Sequence, residues 1–153
     1  MMFGLRLATI DDLPMLLPLV KAYHQFEGIN LTDTGRENAI TALLSNSSLG
    51  YIWLVTIDNQ NIGYIALTLG YSIEFGGKDA FIDEFYIEPE FRGRGLGQQT
   101  LKAIQQEARL YKIRAIHLEV AHTNKEAQRT YTQANFQARN KYMLMSVHLD
   151  NSQ

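Results

Sequence analysis

Leu5 to Ala8 reads as a short extended strand. Thr9 stands where a helix cap belongs, with Asp11 and Asp12 at the positive end of a helix running through Val20 to about Phe26. Thr34-Gly35-Arg36-Glu37 has the form of a capping box and opens a second helix to about Leu44. Tyr51 to Ile57 and Ile62 to Leu69 are apolar runs parted by a polar turn, Asp58 to Asn61, which is the pattern of a hairpin. Gly76-Gly77 marks another turn before a fourth strand, Ala80 to Ile87. From about Arg94 to Tyr111 the spacing is helical, with Leu96, Thr100, Ala103, Ile104 and Ala108 along one face. Ala115 to Val120, a helix opened by Asn124, and a last apolar strand, Tyr142 to His148, complete the pattern. This order predicts one α/β (α+β) domain over residues 1–153, a mixed sheet with helices on both faces.

The junction after the fourth strand carries the most informative residues. Arg92-Gly93-Arg94-Gly95-Leu96-Gly97 follows an extended run and opens an amphipathic helix. Glycines leave backbone N–H groups bare, and the first turn of a helix has four without intrahelical partners. The helix dipole adds partial positive charge there, so the bend suits a diphosphate. Two common phosphate loops are excluded by counting. No Gly-Lys-Ser or Gly-Lys-Thr occurs, and a dinucleotide fingerprint counted from Gly93 would end on Gln98, where it needs glycine.

What fits is Arg92-x-x-Gly95-x-Gly97, preceded by Ile87-Glu88-Pro89-Glu90-Phe91. This resembles the coenzyme A pyrophosphate loop of the GNAT superfamily of N-acetyltransferases. A second segment agrees independently: Asn124, Ala127, Tyr131 and Phe136 match the family's Asn, Ala, Tyr and closing Phe, directly after an apolar strand. Asn135 replaces the usual glycine before the closing Phe, and asparagine is the residue best able to take its left-handed conformation. The resemblance implies a mixed, mostly antiparallel sheet of six to seven strands, splayed between the fourth and fifth. It implies acetyl-CoA as cofactor, held by Phe85, Tyr86, Ile87, Arg92, Gly93, Arg94, Gly95, Leu96, Gly97, Gln98, Asn124 and Tyr131. Within that set, main-chain groups of Phe85 and Ile87 would pair with the pantetheine arm, and the loop from Arg92 to Gly97 would hold the pyrophosphate.

Composition narrows the chemistry further. A net charge of −2 leaves no basic footprint for nucleic acid or an anionic membrane. The chain has no cysteine, which excludes disulfides, thiolate nucleophiles and an acyl-cysteine intermediate. His24, His117, His122 and His148 have no ligand spacing, so no metal is expected. With no apolar stretch of membrane-spanning length and no signal core at the N-terminus, the expectation is a cytoplasmic protein.

Acetyl transfer to an amine poses two proton problems. An alkyl ammonium with a pKa around 10 has no free lone pair at neutral pH, so a base is needed. A departing thiolate is better protonated, so an acid is useful. Tyr131 is the candidate acid, because a phenol remains protonated at neutral pH. Three carboxylates are open as bases: Asp83, Glu84 and Glu119. Strict alternation puts Asp83 on the face of Phe81, Phe85 and Ile87 and Glu84 on the other, whereas a bulge would re-aim Glu84.

The resemblance places the acceptor pocket at residues 23–34 and 71–78, which offer Tyr23, His24, Glu27, Asp33, Tyr71 and Glu74, with Tyr23, Glu27, Tyr71 and Glu74 as the substrate-binding candidates. Acids and aromatics suit a small cationic amine or amino acid derivative. Leu118-Glu119-Val120 keeps a protein N-terminal or lysine acetyltransferase as an alternative. A non-catalytic acyl-CoA-binding regulatory module on the same fold is the alternative of another class. The apolar Tyr142 to Leu149 could pair across a homodimer interface.

Overall fold

The computed structural model describes residues 1–150. Five strands, β1 (Phe3–Leu7), β2 (Gly50–Ile57), β3 (Gln60–Ser72), β4 (Gly77–Ile87) and β5 (Ala115–His117), form one sheet in sequential order. All pairings are antiparallel except β4 with β5. The helices are α1 (Leu13–Glu27), α2 (Asp33–Ser45), α3 (Leu96–Leu110) and α4 (Lys125–Gln133).

Alternation along the strands sorts the core into two faces. Ile52, Leu54, Tyr64, Ala66 and Tyr86 meet Leu16, Leu19 and Val20 of α1 and Ile40 of α2. Trp53, Ile65, Leu67, Ala80 and Ile82 meet Leu101, Ile104 and Ala108 of α3 and Ala134 beyond α4. Fully burying one such side chain stabilises the fold by about 1.5–3 kcal/mol, so both helical layers are fixed mainly by this sorting.

Helix starts depart from the predicted caps. Thr9 opens a short 3₁₀ turn, Ile10–Asp12, whose Asp12 accepts from the Thr9 N–H, and α1 begins only at Leu13. Thr32, rather than Thr34, caps α2 and accepts from the Gly35 N–H at 3.0 Å. The predicted strand at Ala115–Val120 ends at His117.

The sheet has five strands where six to seven were expected, because residues 142–148 form no strand. A strand needs a neighbour for its backbone groups, and among the described residues 142–149 the one backbone bond runs from the Tyr142 N–H to the Arg139 carbonyl. Tyr142, Met143, Leu144, Met145, Val147 and Leu149 are all exposed.

Two irregularities of β4 shape the site. Ala66 of β3 pairs with Glu84 while the next residue, Leu67, pairs with Ile82. Asp83 is therefore the extra residue of a bulge, and the alternation restarts beyond it. On its other edge β4 pairs with β5 only from Asp79 to Phe81, then the two strands part. The edge of β4 from Ile82 to Ile87 is left open, and that is the splay expected between the fourth and fifth strands.

Candidate active site

The loop after β4 is built to present amide hydrogens. Gly93 and Gly95 have φ values of 76° and 77°, a left-handed conformation that costs other residues energy. Gly95 caps α3 without any side-chain acceptor. Among the described residues no acceptor faces the N–H groups of Gly93 to Gln98, so the cluster points outward with the helix dipole behind it. Leu96 is buried under this loop, so it offers only its backbone. Gln98 reaches across to the Gln133 carbonyl of α4.

The two arginines of the loop are engaged with backbone carbonyls. Arg92 donates through Nε to the Ile87 carbonyl at 2.8 Å, with its guanidinium over the Phe26 and Tyr86 rings. Arg94 donates to the Glu90 carbonyl and lies over Phe91. Each keeps further N–H donors for an anion, since a guanidinium has five. The Arg92 bond also shows that the Ile87 carbonyl faces the open edge of β4. Alternation puts Phe85 on that same edge and turns the main chain of Tyr86 toward β3. Glu88 returns inward, its N–H donating to the Ile62 carbonyl.

Beside this edge, the bulge separates two neighbouring carboxylates. Glu84 turns toward α1, where both oxygens are taken: Oε2 by Nε2 of His24 at 2.7 Å and Oε1 by the Tyr64 hydroxyl at 2.8 Å. Asp83 forms no such bond. It is exposed to solvent, and partial desolvation by the surrounding chain pushes its carboxyl above the ordinary range. The Glu84 charge pushes the same way, the positive edge of His24 pulls back, and Glu119 adds to the rise. Strict alternation is thus corrected: Ile82 and Phe85 share the α3 face, because the bulge between them absorbs one residue.

Tyr131 projects from α4, its ring packed edge-on against Phe136. Burial first, and the charge of Glu27 second, raise its phenol, so it stays protonated. Tyr23 of α1 lies within electrostatic range of Glu27, Glu84, Tyr131 and Asp83. Its ring stands edge-on to Tyr64 and Tyr86. Glu119 lies past the end of β5 and is exposed. Asn124 caps α4, accepting from the Ala127 N–H at 3.1 Å, which leaves its amide NH₂ free to donate elsewhere.

The hairpin candidates sit apart. Tyr71 is five residues along β3 from Ala66, about 16 Å from the bulge at ~3.3 Å per residue. Glu74 at the same tip pairs with Arg139 at 3.2 Å. Two participants, Arg36 and Tyr64, are absent from the sequence-based candidates. Arg36 lies four residues before the buried Ile40, on the core-facing stripe of α2, and a charge on that stripe signals a buried partner.

The profile of the "Acetyltransferase (GNAT) family" matches residues 18–136, which include the bulge, the amide loop and α4. The chain belongs to this family. An integron cassette protein from the mobile metagenome of Cole Harbour Salt Marsh has the same fold, with a TM-score of 0.84 and 34% identity, covering 95% of this chain and 90% of that one. An uncharacterized N-acetyltransferase of Archaeoglobus fulgidus is 30% identical over 130 residues, 83% of this chain and 88% of that protein. The spermine/spermidine N(1)-acetyltransferase of Bacillus subtilis is 41% identical over 58 residues, a stretch of 37% of this chain and 38% of that protein. No helix among the described residues of this GNAT chain is long and apolar enough to cross a membrane.

Proposed function

We propose that this chain is an acetyl-CoA-dependent N-acetyltransferase acting on a small cationic primary amine. The observation that carries the reading is the open edge of β4, which runs from the partly desolvated Asp83 carboxylate to the bare amides of Gly93–Gln98. These residues fit the cofactor. Phe85 and Ile87 have outward main-chain groups for an extended arm, and the amides with Arg92 and Arg94 suit its pyrophosphate. Acetyl-CoA supplies the acetyl group as a thioester.

The chain supplies proton management and orientation. Asp83 serves as the base, directly or through water, because it is the one of the two bulge carboxylates whose oxygens are not already engaged. Its raised pKa brings it closer to that of the ammonium it must deprotonate. Tyr131 keeps a hydroxyl proton on the α4 side of the cleft, available to a leaving thiolate. Glu27, Asp83, Glu84 and the more distant Glu119 give the cleft a negative field, and Tyr23 offers a ring face, a combination suited to an ammonium group. The partial likeness to a spermine/spermidine acetyltransferase supports the same substrate class. The exposed apolar segment 142–149 supplies a surface on which two copies would pair as a homodimer.

The deciding experiment is a thermal melt with and without excess acetyl-CoA, followed by an amine panel. A ligand at a hundred times its Kd adds about 2.7 kcal/mol to the folded state, several degrees for a domain of this size. A folded protein whose melt ignores acetyl-CoA would sink the reading.

A further inference from the structure

A chain of buried polar groups leads away from Asp83 and ends on the far side of α1. Arg36 and His24 are both almost wholly enclosed, at 5% and 4% exposure. Arg36 donates through Nε to Nδ1 of His24 at 3.2 Å. A guanidinium has no acceptor, so Nδ1 must present a lone pair and the ring proton sits on Nε2. That proton points at Glu84 Oε2, 2.7 Å away, while the Tyr64 hydroxyl donates to Oε1. Every donor in the chain has one acceptor, and each Glu84 oxygen already accepts one hydrogen bond.

The other branches of Arg36 reach the connection between α1 and α2. One donates to the Leu31 carbonyl at 2.9 Å, the other to Asp33 at 2.7 Å. One buried guanidinium therefore holds the loop flanking Tyr23 and Glu27 and, through a single imidazole, the carboxylate next to Asp83. Buried charge is costly unless compensated, and here Arg36 is compensated by Glu84 through His24 and by Asp33 directly. A buried guanidinium persists only with its hydrogen-bond geometry satisfied, and that geometry spans α2, α1, β4 and β3.

We propose that Arg36 and His24 are positioning residues that lock the α1–α2 connection to the β4 bulge, and so hold Asp83 at its station in the cleft. The inference rests on the reading of Asp83 as the base. A bulge has an alternative, regular pairing, and pinning both oxygens of Glu84 selects the bulged register in which Asp83 leaves the ladder. Displacement of a catalytic group by around 1 Å costs up to about a hundredfold in rate, so a residue that touches no substrate can still govern turnover.

The two amides that imitate halves of the imidazole separate this role from simple packing. In His24→Gln the side-chain NH₂ reaches the Nε2 position and can still donate to Glu84. In His24→Asn the amide reaches only the Nδ1 position, keeping an acceptor for Arg36 and losing Glu84. We expect His24→Asn to lower kcat by about tenfold or more with KM for the amine little changed, and His24→Gln to restore most of kcat. Arg36→Lys keeps the charge but forfeits the fork that holds Leu31 and Asp33 as well as His24, and a fall in kcat comparable to that of His24→Asn is expected. Equal kcat for the two amide variants, or losses that follow the melting temperature alone, would overturn the proposal.

Imidazole nitrogen NMR of the unliganded wild type tests the same chain without any turnover. A bare Nδ1 with a protonated Nε2 is expected, and the opposite tautomer breaks the chain. Should the wild type acetylate no amine, the functional reading fails and the positioning role with it, while the tautomer still decides whether the hydrogen-bond chain itself exists.

Discussion

The two faces of the sheet are held by different physics. Toward α3 and α4 the packing is apolar: Trp53, Ile65 and Leu67 against Leu101, Ile104 and Ala108, with Thr100 bonded back to its own helix at the Leu96 carbonyl. Toward α1 and α2 the packing is apolar with a polar seam through it, Arg36, His24, Glu84 and Tyr64, every member bonded. Dispersion and burial are tolerant of small shifts, whereas hydrogen bonds between enclosed charges are directional. The tolerant face carries the helix whose N-terminus presents the amide loop. The directional face carries the acids. Substitutions should therefore divide by face, costing stability alone on the apolar face and turnover, with or without stability, on the polar one.

The sharpest expected break is in turnover, at Asp83. Asp83→Asn removes the base while keeping shape, and general acid–base groups contribute about 10²–10⁴-fold. The prediction is a loss of that order in kcat with acetyl-CoA still shifting the melt, because Asp83 belongs to no buried network. Steady-state kinetics beside a thermal melt checks it. Next in size comes the apolar face. Leu101 is fully buried, and Leu101→Ala should cost about 2–5 kcal/mol of stability by cavity formation, measured by urea unfolding. Turnover per folded molecule should survive. A Leu101 variant that stayed stable but lost kcat would erase the division between the faces.

Much of this division is legible in the sequence. Alternation in Tyr51–Ile57 and Ala80–Ile87 announces strands whose two faces are both covered, and the observed β2 and β4 contain those ranges. The amide loop is readable because glycines and a helix start are local features. Asn135 also reads correctly: its φ of 73° is the left-handed cap for which asparagine substitutes. What escapes needs partners distant in sequence. Parity along β4 cannot reveal a bulge, which exists only relative to β3. Thr32 and Thr34 are equally good caps in isolation, and the tertiary placement of α2 decides between them. Tyr142–His148 has strand composition, but composition cannot supply the neighbour that a strand requires. Arg36 escapes because single charges on a helix are ordinarily solvated.

A smaller effect tests the seam at the edge away from Arg36. Tyr64 is buried, and burial together with the charge of Glu84 holds its phenol far above the ordinary range, so it acts only as a donor. Tyr64→Phe leaves Glu84 Oε1 without that donor at nearly constant volume. The expected cost is about 1–3 kcal/mol, the penalty of an unsatisfied buried acceptor. Urea unfolding gives the cost, and a double-mutant cycle with Glu84→Gln should recover part of it, since both changes strike one bond.

The smallest effect lies outside both cores, at the entry to α1, and its pH dependence has a definite sign. Asp12 accepts from Arg6 at 2.9 and 3.1 Å and from the Thr9 N–H at 2.8 Å. The bond from Arg6 is the chief cause that holds its carboxyl below the ordinary carboxylate value, against a small desolvation penalty. A carboxylate lowered on folding contributes stability that is complete above its unfolded pKa and is lost as pH falls through the folded one. Wild type should therefore lose melting temperature on acidification below about pH 4, the unfolded value for aspartate. Asp12→Asn should lose less over the same interval, with the two curves converging at low pH. Because Arg6 is largely exposed, solvent screening limits the difference, and added salt should shrink it further. A smaller salt sensitivity is expected for His24→Asn, whose missing contact is largely shielded from solvent, with the His24 side chain 5% and the Glu84 side chain 19% exposed.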